Sequence, residues 1–173
     1  EEIVDRYFDR VYSEDEADLA IVFINSPNSG YGYDKKNEEY VPISLQYNDY
    51  TATTAREVSI AGGDPFETSK NRSYKGKSIK TINRCDMELV QDTRAHMGSK
   101  PVIVSVNISN PMVMSEIEPF ADAIFCTFDI QNQVVLELVR GKIEPSALLP
   151  FQMPADMLTV EQQAEDTPRD MRC

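Results

Sequence analysis

Histidine, cysteine and positive charge are all scarce in this 173-residue chain, and each shortage removes a class of chemistry. A single imidazole, His96, rules out a multi-histidine metal site and argues against a Ser-His-Asp triad. Its plain reading is a residue near a helix C-terminus. The three cysteines, Cys85, Cys126 and Cys173, are odd in number, far apart and lack Cys-x-x-Cys spacing. That argues against a disulfide framework or a zinc site. No histidine pattern lies near them to activate a nucleophilic thiol, and Cys126 reads as a small core residue. With 17 basic against 29 acidic residues the net charge is -12, the wrong sign for nucleic acid. It is compatible with a neutral or cationic small-molecule partner. No apolar run approaches the roughly 18 to 20 residues of a membrane span, and no signal-peptide pattern stands at the start. The chain opens on Glu1-Glu2 rather than Met, as expected of a piece of a longer polypeptide, so the missing leader leaves localisation open.

What is present organises around Lys100 to Pro111, Lys-Pro-Val-Ile-Val-Ser-Val-Asn-Ile-Ser-Asn-Pro. A β-branched run of this kind fits a strand buried on both faces of a parallel sheet. Leu19–Asn25 and Ala121–Phe128 read as two more. Apolar residues at positions 3, 4, 7, 8, 11 and 12 predict an amphipathic helix over 3–12. Asp86–Met97 predicts another through Leu89, Val90, Thr93 and Met97, stopped by Gly98. Asn110 is the expected cap, and Pro111 the first residue, of a helix ending at Pro119. Asp129 is the expected cap of a helix carrying Val134, Val135, Leu138 and Val139, ended by Arg140 and Gly141. Residues 144–154 hold three prolines and should be extended. The tail from Thr159 is polar and weakly determined.

Between Ser26 and Asn83 the periodicity is lost, apart from a possible helix over Thr51–Ile60. A stretch of this length inside a domain is usually functional or a linker, and its tyrosines and mixed charges favour an ordered excursion. It leaves the carboxyl end of a strand, where an open α/β sheet keeps its ligand. The length suits one domain with a full core. Strands alternating with helices predict an α/β fold, a three-layer α/β/α sandwich with a mostly parallel sheet. Three strands are few for this length, so either the excursion adds one or more lie in flanking sequence. No Gly-rich phosphate loop follows either of the first two strands, which counts against a free-standing flavodoxin-like binding domain.

Three segments together resemble the C-terminal α/β-sandwich domain of glycoside hydrolase family 3, the β-glucosidase and β-xylosidase family. Ala17-Asp18-Leu19-Ala20-Ile21-Val22-Phe23 is similar to its first strand. Lys100-Pro101-Val102-Ile103-Val104, through Asn110-Pro111 to Ala121-Asp122-Ala123-Ile124, resembles its strand–helix–strand unit. Gly141-Lys142-Ile143-Glu144-Pro145-Ser146-Ala147-Leu148-Leu149-Pro150 with Gln152-Met153-Pro154 is the most diagnostic of the three. Order and spacing agree across residues 17–154. The resemblance implies a single α/β domain that covers a cleft formed with an N-terminal (β/α)8 barrel of the same polypeptide. The implied reaction is retaining hydrolysis of a terminal β-linked glucoside or xyloside, with no cofactor. Such a reaction needs two carboxyl groups about 5 to 5.5 Å apart. The barrel, and with it the nucleophile, is not in this chain, so the chain alone should be inactive.

Ser29-Gly30-Tyr31-Gly32-Tyr33-Asp34 resembles the acid/base loop of that family, but Tyr31 stands where the loop has a glutamate. An unperturbed phenol, with a pKa near about 10, is a poor donor at neutral pH. Glu38, Glu39, Glu57 and Glu67 are therefore the candidate acid/base residues, with surface carboxylates as the plain alternative. Ala147 replaces a glycine of the family pattern, and Asp129-Ile130-Gln131 departs from its Pro-Gly. Asp34, Arg72 and Lys75 are candidates for holding sugar hydroxyls, or for pairing within the loop. Tyr31, Tyr33 and Tyr74 are candidates for a sugar-stacking wall, or for packing the loop. Asn71-Arg72-Ser73 and Asn107-Ile108-Ser109 match glycosylation sequons, the second by chance since it closes a buried strand. The alternative to a hydrolase part is a non-catalytic module used for interdomain packing or homodimerisation.

Overall fold

The computed structural model describes residues 2–30, 32–37, 39–58 and 73–163. In chain order they form β1 (Ala20–Asn25), β2 (Tyr33–Asp34), β3 (Glu39–Tyr40), β4 (Tyr50–Thr51) and β5 (Ser78–Ile79). Then come α1 (Arg84–Met97), β6 (Val102–Asn107), β7 (Ala123–Thr127), α2 (Asn132–Val139) and α3 (Met157–Gln162). The chain is an α/β fold. Two compact units account for it: residues 1–26, 85–109 and 117–151 form one, and residues 27–84, 110–116 and 152–173 the other. No helix of the described residues is long and apolar enough to cross a membrane.

The first unit is built on a parallel sheet in the order β1-β6-β7. Its central strand is the β-branched run, with Val104 registered between Val22 and Ile124, and Ser105 between Phe23 and Phe125. Val22 and Ile24 of β1 and Val102, Val104 and Val106 of β6 are all buried. These residues share one face, since side chains on a strand alternate with period two. The opposite face is less covered at β1, where Phe23 is 39% exposed.

Helix α1 buries Met87, Val90 and Met97, while Leu89, expected on the buried face, is 49% exposed. Gly98 ends the helix at φ +58°, a left-handed conformation that costs a residue without Cβ nothing. His96 lies in the last turn, its Nδ1 2.8 Å from the Asp92 carbonyl. Arg94, on the same turn, gathers the amino ends of two strands. Its guanidinium donates to the carbonyls of Gly98 (2.9 Å), Lys100 (3.0 Å) and Phe120 (3.1 Å), and pairs with Asp122. Asp122 in turn accepts the Val102 N–H at 2.8 Å. The aspartate of the Ala-Asp-Ala-Ile segment thus fixes how β7 enters beside β6.

Several expectations from periodicity fail, each for a tertiary reason. Residues 3–12 hold only a short 3-10 turn, Val4–Arg6, with no buried residue. A short amphipathic helix with nothing to bury its stripe is marginal in water. Asn110 caps no α-helix: Met114–Glu116 and Glu118–Phe120 are single 3-10 turns, the second containing Pro119. Met112 and Val113 are buried instead, and the Val113 N–H is taken by the Leu45 carbonyl at 2.7 Å. Asp129 does not cap α2; Gln131 holds that position, without a side-chain hydrogen bond. Residues 52–58 form bends and irregular chain rather than a helix. The described start of the tail is helical: α3 is capped by Asp156, whose side chain accepts the Thr159 N–H at 2.7 Å. The excursion adds no strand to the parallel sheet among the described residues.

Two outcomes follow from the Arg94 clamp. Arg94→Met leaves three strand-entry carbonyls without their donor and should lower stability by roughly 2 kcal/mol, read as a lower urea midpoint. The Val102 N–H and Arg94 hold the Asp122 carboxyl below its usual range. Its contribution is therefore complete above the unfolded carboxyl pKa and disappears as pH falls through the depressed folded value. The stability gap between wild type and Asp122→Asn should be present at neutral pH and close in strong acid.

Candidate functional site

The excursion belongs to the second unit, and its two ends are stitched together. The Asn28 N–H donates to Thr81 Oγ1 (3.1 Å) and Asn83 Oδ1 (2.9 Å), and the Asn28 carbonyl accepts the Ile82 N–H at 2.7 Å. Asn28 Oδ1 then accepts the Gly30 N–H at 2.6 Å, turning the chain at a glycine with φ +87°. Ser29 Oγ receives the Ser44 N–H at 3.2 Å, and the Gly32 carbonyl receives the Val41 N–H at 3.1 Å. The small antiparallel ribbon β2–β3 grows from there, with Tyr33 opposite Tyr40 and Asp34 opposite Glu39. A second ribbon pairs Tyr50 with Ile79 and Thr51 with Ser78. The excursion's described parts, residues 26–30, 32–37, 39–58 and 73–83, are built on Asx turns and short ladders.

The candidate residues fall out as follows. Asp34 forms the hairpin turn: Oδ1 accepts the Lys36 N–H at 2.8 Å and Oδ2 accepts the Asn37 amide at 2.7 Å. Glu57 is exposed and paired with Lys75 at 2.6 Å, and the hydrogen bond and charge of Lys75 hold its carboxyl below the usual range. A proton donor needs the opposite shift. Glu39 and Tyr33 are placed by backbone on the β2–β3 ribbon. Tyr31, Glu38, Glu67 and Arg72 lie outside the described residues. Tyr74 is half-buried and, with Val41, Ile43, Leu45, Ile79 and Met157, lines a largely apolar cavity of about 450 Å³.

Sequence reasoning missed the best-held carboxylate in this unit. Glu161 is 5% exposed. It accepts from the Tyr50 phenol, the Thr54 N–H and, at 2.7 Å, the Thr54 hydroxyl. Burial pushes its carboxyl up, but those donors together outweigh burial and hold it low. Burial first, and the Glu161 bond second, push the Tyr50 phenol up to about 12. The available signal was Asp156-x-x-Thr159, a helix start placing Glu161 on the first turns of an amphipathic segment. Glu116 plays a similar part, accepting the backbone N–H groups of Tyr47 and Asn48 (3.0 Å) and the Asn48 amide (2.7 Å). Of the described cysteines, Cys85 is exposed and Cys126 half-buried, its thiol pushed up by burial, which disfavours a thiolate. No group of three or more metal-ligating side chains occurs among the described residues.

The chain is similar to fungal β-glucosidases. It is 36% identical over 73 residues to β-glucosidase C of Emericella nidulans, covering 42% of this chain and 12% of that protein. It is 38% identical over 72 residues to the probable β-glucosidases C of Aspergillus flavus and Aspergillus oryzae, covering 42% of this chain and 11% of each. The matched stretch thus spans about a ninth of the length of these relatives. No protein-family model matches the chain, and no solved structure matches it.

The Glu161 cluster makes one clear prediction. Glu161→Gln keeps the shape but turns one acceptor into a donor facing the Thr54 N–H or the Tyr50 phenol. It should cost roughly 2 kcal/mol at neutral pH, read from the denaturation midpoint. Because the folded carboxyl pKa is depressed, that cost should shrink as pH falls through it.

Proposed function

We propose that this chain is part of a β-glucosidase-like glycoside hydrolase of family 3 type, acting on terminal β-linked glucosides or related xylosides. In this reading it is the C-terminal α/β domain, and a (β/α)8 barrel elsewhere in the polypeptide supplies the nucleophile. The excursion contributes to the cleft and offers the proton donor. The observation that carries the reading is the identity of 36–38% to the three fungal β-glucosidases C. The α/β fold agrees with it, and so does an excursion that leaves the sheet directly after β1. Glu38, Glu39 and Glu67 remain the acid/base candidates, with Glu57 less suited while Lys75 holds it ionised. Tyr31, Tyr33, Asp34 and Arg72 are proposed to shape the sugar-binding wall.

A second reading, a module for packing or dimerisation without a catalytic group, is favoured by two observations. Glu57 is ion-paired and Asp34 is engaged in its own turn. Both side chains then serve the excursion itself.

Aryl β-glucoside hydrolysis by the full-length polypeptide separates the two. Under the first reading one of Glu38→Ala, Glu39→Ala, Glu57→Ala or Glu67→Ala loses about 10² to 10⁴ in kcat, as removal of a general acid/base does. Azide, an external nucleophile, should partly restore that variant on substrates with good leaving groups. Full activity in all four variants would remove the proton donor from this excursion and leave the second reading.

A further inference from the structure

The parallel sheet of the first unit ends in a polar cavity that none of the candidate residues above uses. It has a volume of about 330 Å³ and lies at the carboxyl ends of β1, β6 and β7 and the start of α2. Ser105, Asn107, Thr127, Asp129, Asn132 and Phe23 line it. This is where parallel α/β sheets bind ligands.

Two features point to an occupant. Ser105, in the middle of β6, is 3% exposed and lines the cavity, yet its hydroxyl has no hydrogen-bond partner among the described residues. A buried hydroxyl without a partner is costly, and a ligand hydroxyl entering the cavity would satisfy it. The second feature is Asp129, held at φ +50°, a left-handed conformation uncommon outside glycine. A reciprocal pair keeps it there: the Asp129 N–H donates to Asn107 Oδ1 at 2.9 Å, and Asn107 Nδ2 donates to Asp129 Oδ1 at 3.0 Å. The strained residue and its carboxylate are thereby fixed at the cavity.

The chemistry selects the ligand class. Two hydroxyls, the three amides of Asn25, Asn107 and Asn132, and one carboxylate offer mixed donors and acceptors. No lysine or arginine lines the cavity among the described residues, and Asp129 would repel an anion. One carboxylate among neutral groups is too few ligands for a hard cation. Phe23, part-exposed, adds an apolar surface on which the C–H face of a ring can rest. The volume is at the small end of ligand pockets. We propose that the carboxyl end of this sheet binds a small neutral polyol, a single sugar ring at largest, through Ser105, Asn132 and Asp129. This binding site does not rest on the hydrolase reading.

The test is a titration of the ¹⁵N-labelled full chain with glucose, myo-inositol and glycerol, with inorganic phosphate and magnesium chloride as the charged controls. At least one polyol should shift the amides of Ser105, Asn107 and Asp129–Asn132 saturably. Ser105→Ala should weaken that binding about five- to tenfold, the size of one neutral hydrogen bond, without lowering Tm. Should Ser105→Ala fail to fold, Asn132→Ala at an exposed position carries the same expectation. Loss of the hydrolase acid/base in Glu38→Ala or Glu39→Ala should leave the shifts unchanged, so the two readings can fail separately. Absence of saturable shifts with all three polyols overturns the proposal. So does a preference for phosphate or magnesium, or unchanged affinity in the folded variants.

Discussion

Arg94 is the side chain on which the first unit's geometry depends. A parallel pair cannot be closed by a tight hairpin, so its register has to be set by crossovers and by contacts at the strand ends. One guanidinium at the end of α1 meets the carbonyls that precede β6 and β7 and the carboxylate of Asp122. Asp122 then takes the first N–H of β6. A guanidinium carries five N–H donors in a rigid plane and meets all four of these acceptors at once, where a lysine ammonium carries only three donors. At the other end of the sheet, the Asn107–Asp129 pair does the equivalent work. Between these ends, the register of Val22, Val104 and Ile124 follows.

The second unit is organised by carboxylates rather than by a sheet. Glu161 ties α3 to the turn after β4, Glu116 holds the turn at Tyr47–Asn48, and Asp34 shapes the β2–β3 hairpin. Each accepts from backbone or hydroxyl donors that irregular chain leaves unpaired, which is how the described stretches outside the two short ladders meet their hydrogen-bonding requirement. These three carboxylates are therefore structural. For Glu161 this also narrows the search for a proton donor, because its donors hold the carboxyl low against burial. Glu57, beside Lys75, is held low as well.

What could be read from the residues alone follows a physical division. The β-branched run of β6 and the apolar runs of β1 and β7 announce buried strands, since period and composition report burial directly. Helix α1 and its glycine stop were legible for the same reason, although its buried face is rotated toward Met87. The stripe at residues 3–12 was misleading, because periodicity describes a face and cannot say whether anything packs on it. Asn110-Pro111 has the pattern of a helix start, but the Val113 N–H is taken by the Leu45 carbonyl, which local pattern cannot announce. Residue type and position after β1 mark the acid/base candidates but cannot disclose that Lys75 sits on Glu57.

The sequence by itself determined the fold class, the three parallel strands and a partial similarity to fungal β-glucosidases. These rest on runs of local composition that any chain with this pattern must bury. Only the tertiary structure decided the rest: Arg94 as clamp, Glu161 as a buried acceptor, Asp129 in a left-handed turn and Ser105 facing a cavity with no partner. Each joins residues 15 or more positions apart in the chain, or depends on what fills the space beside a side chain. Local pattern holds no information about either.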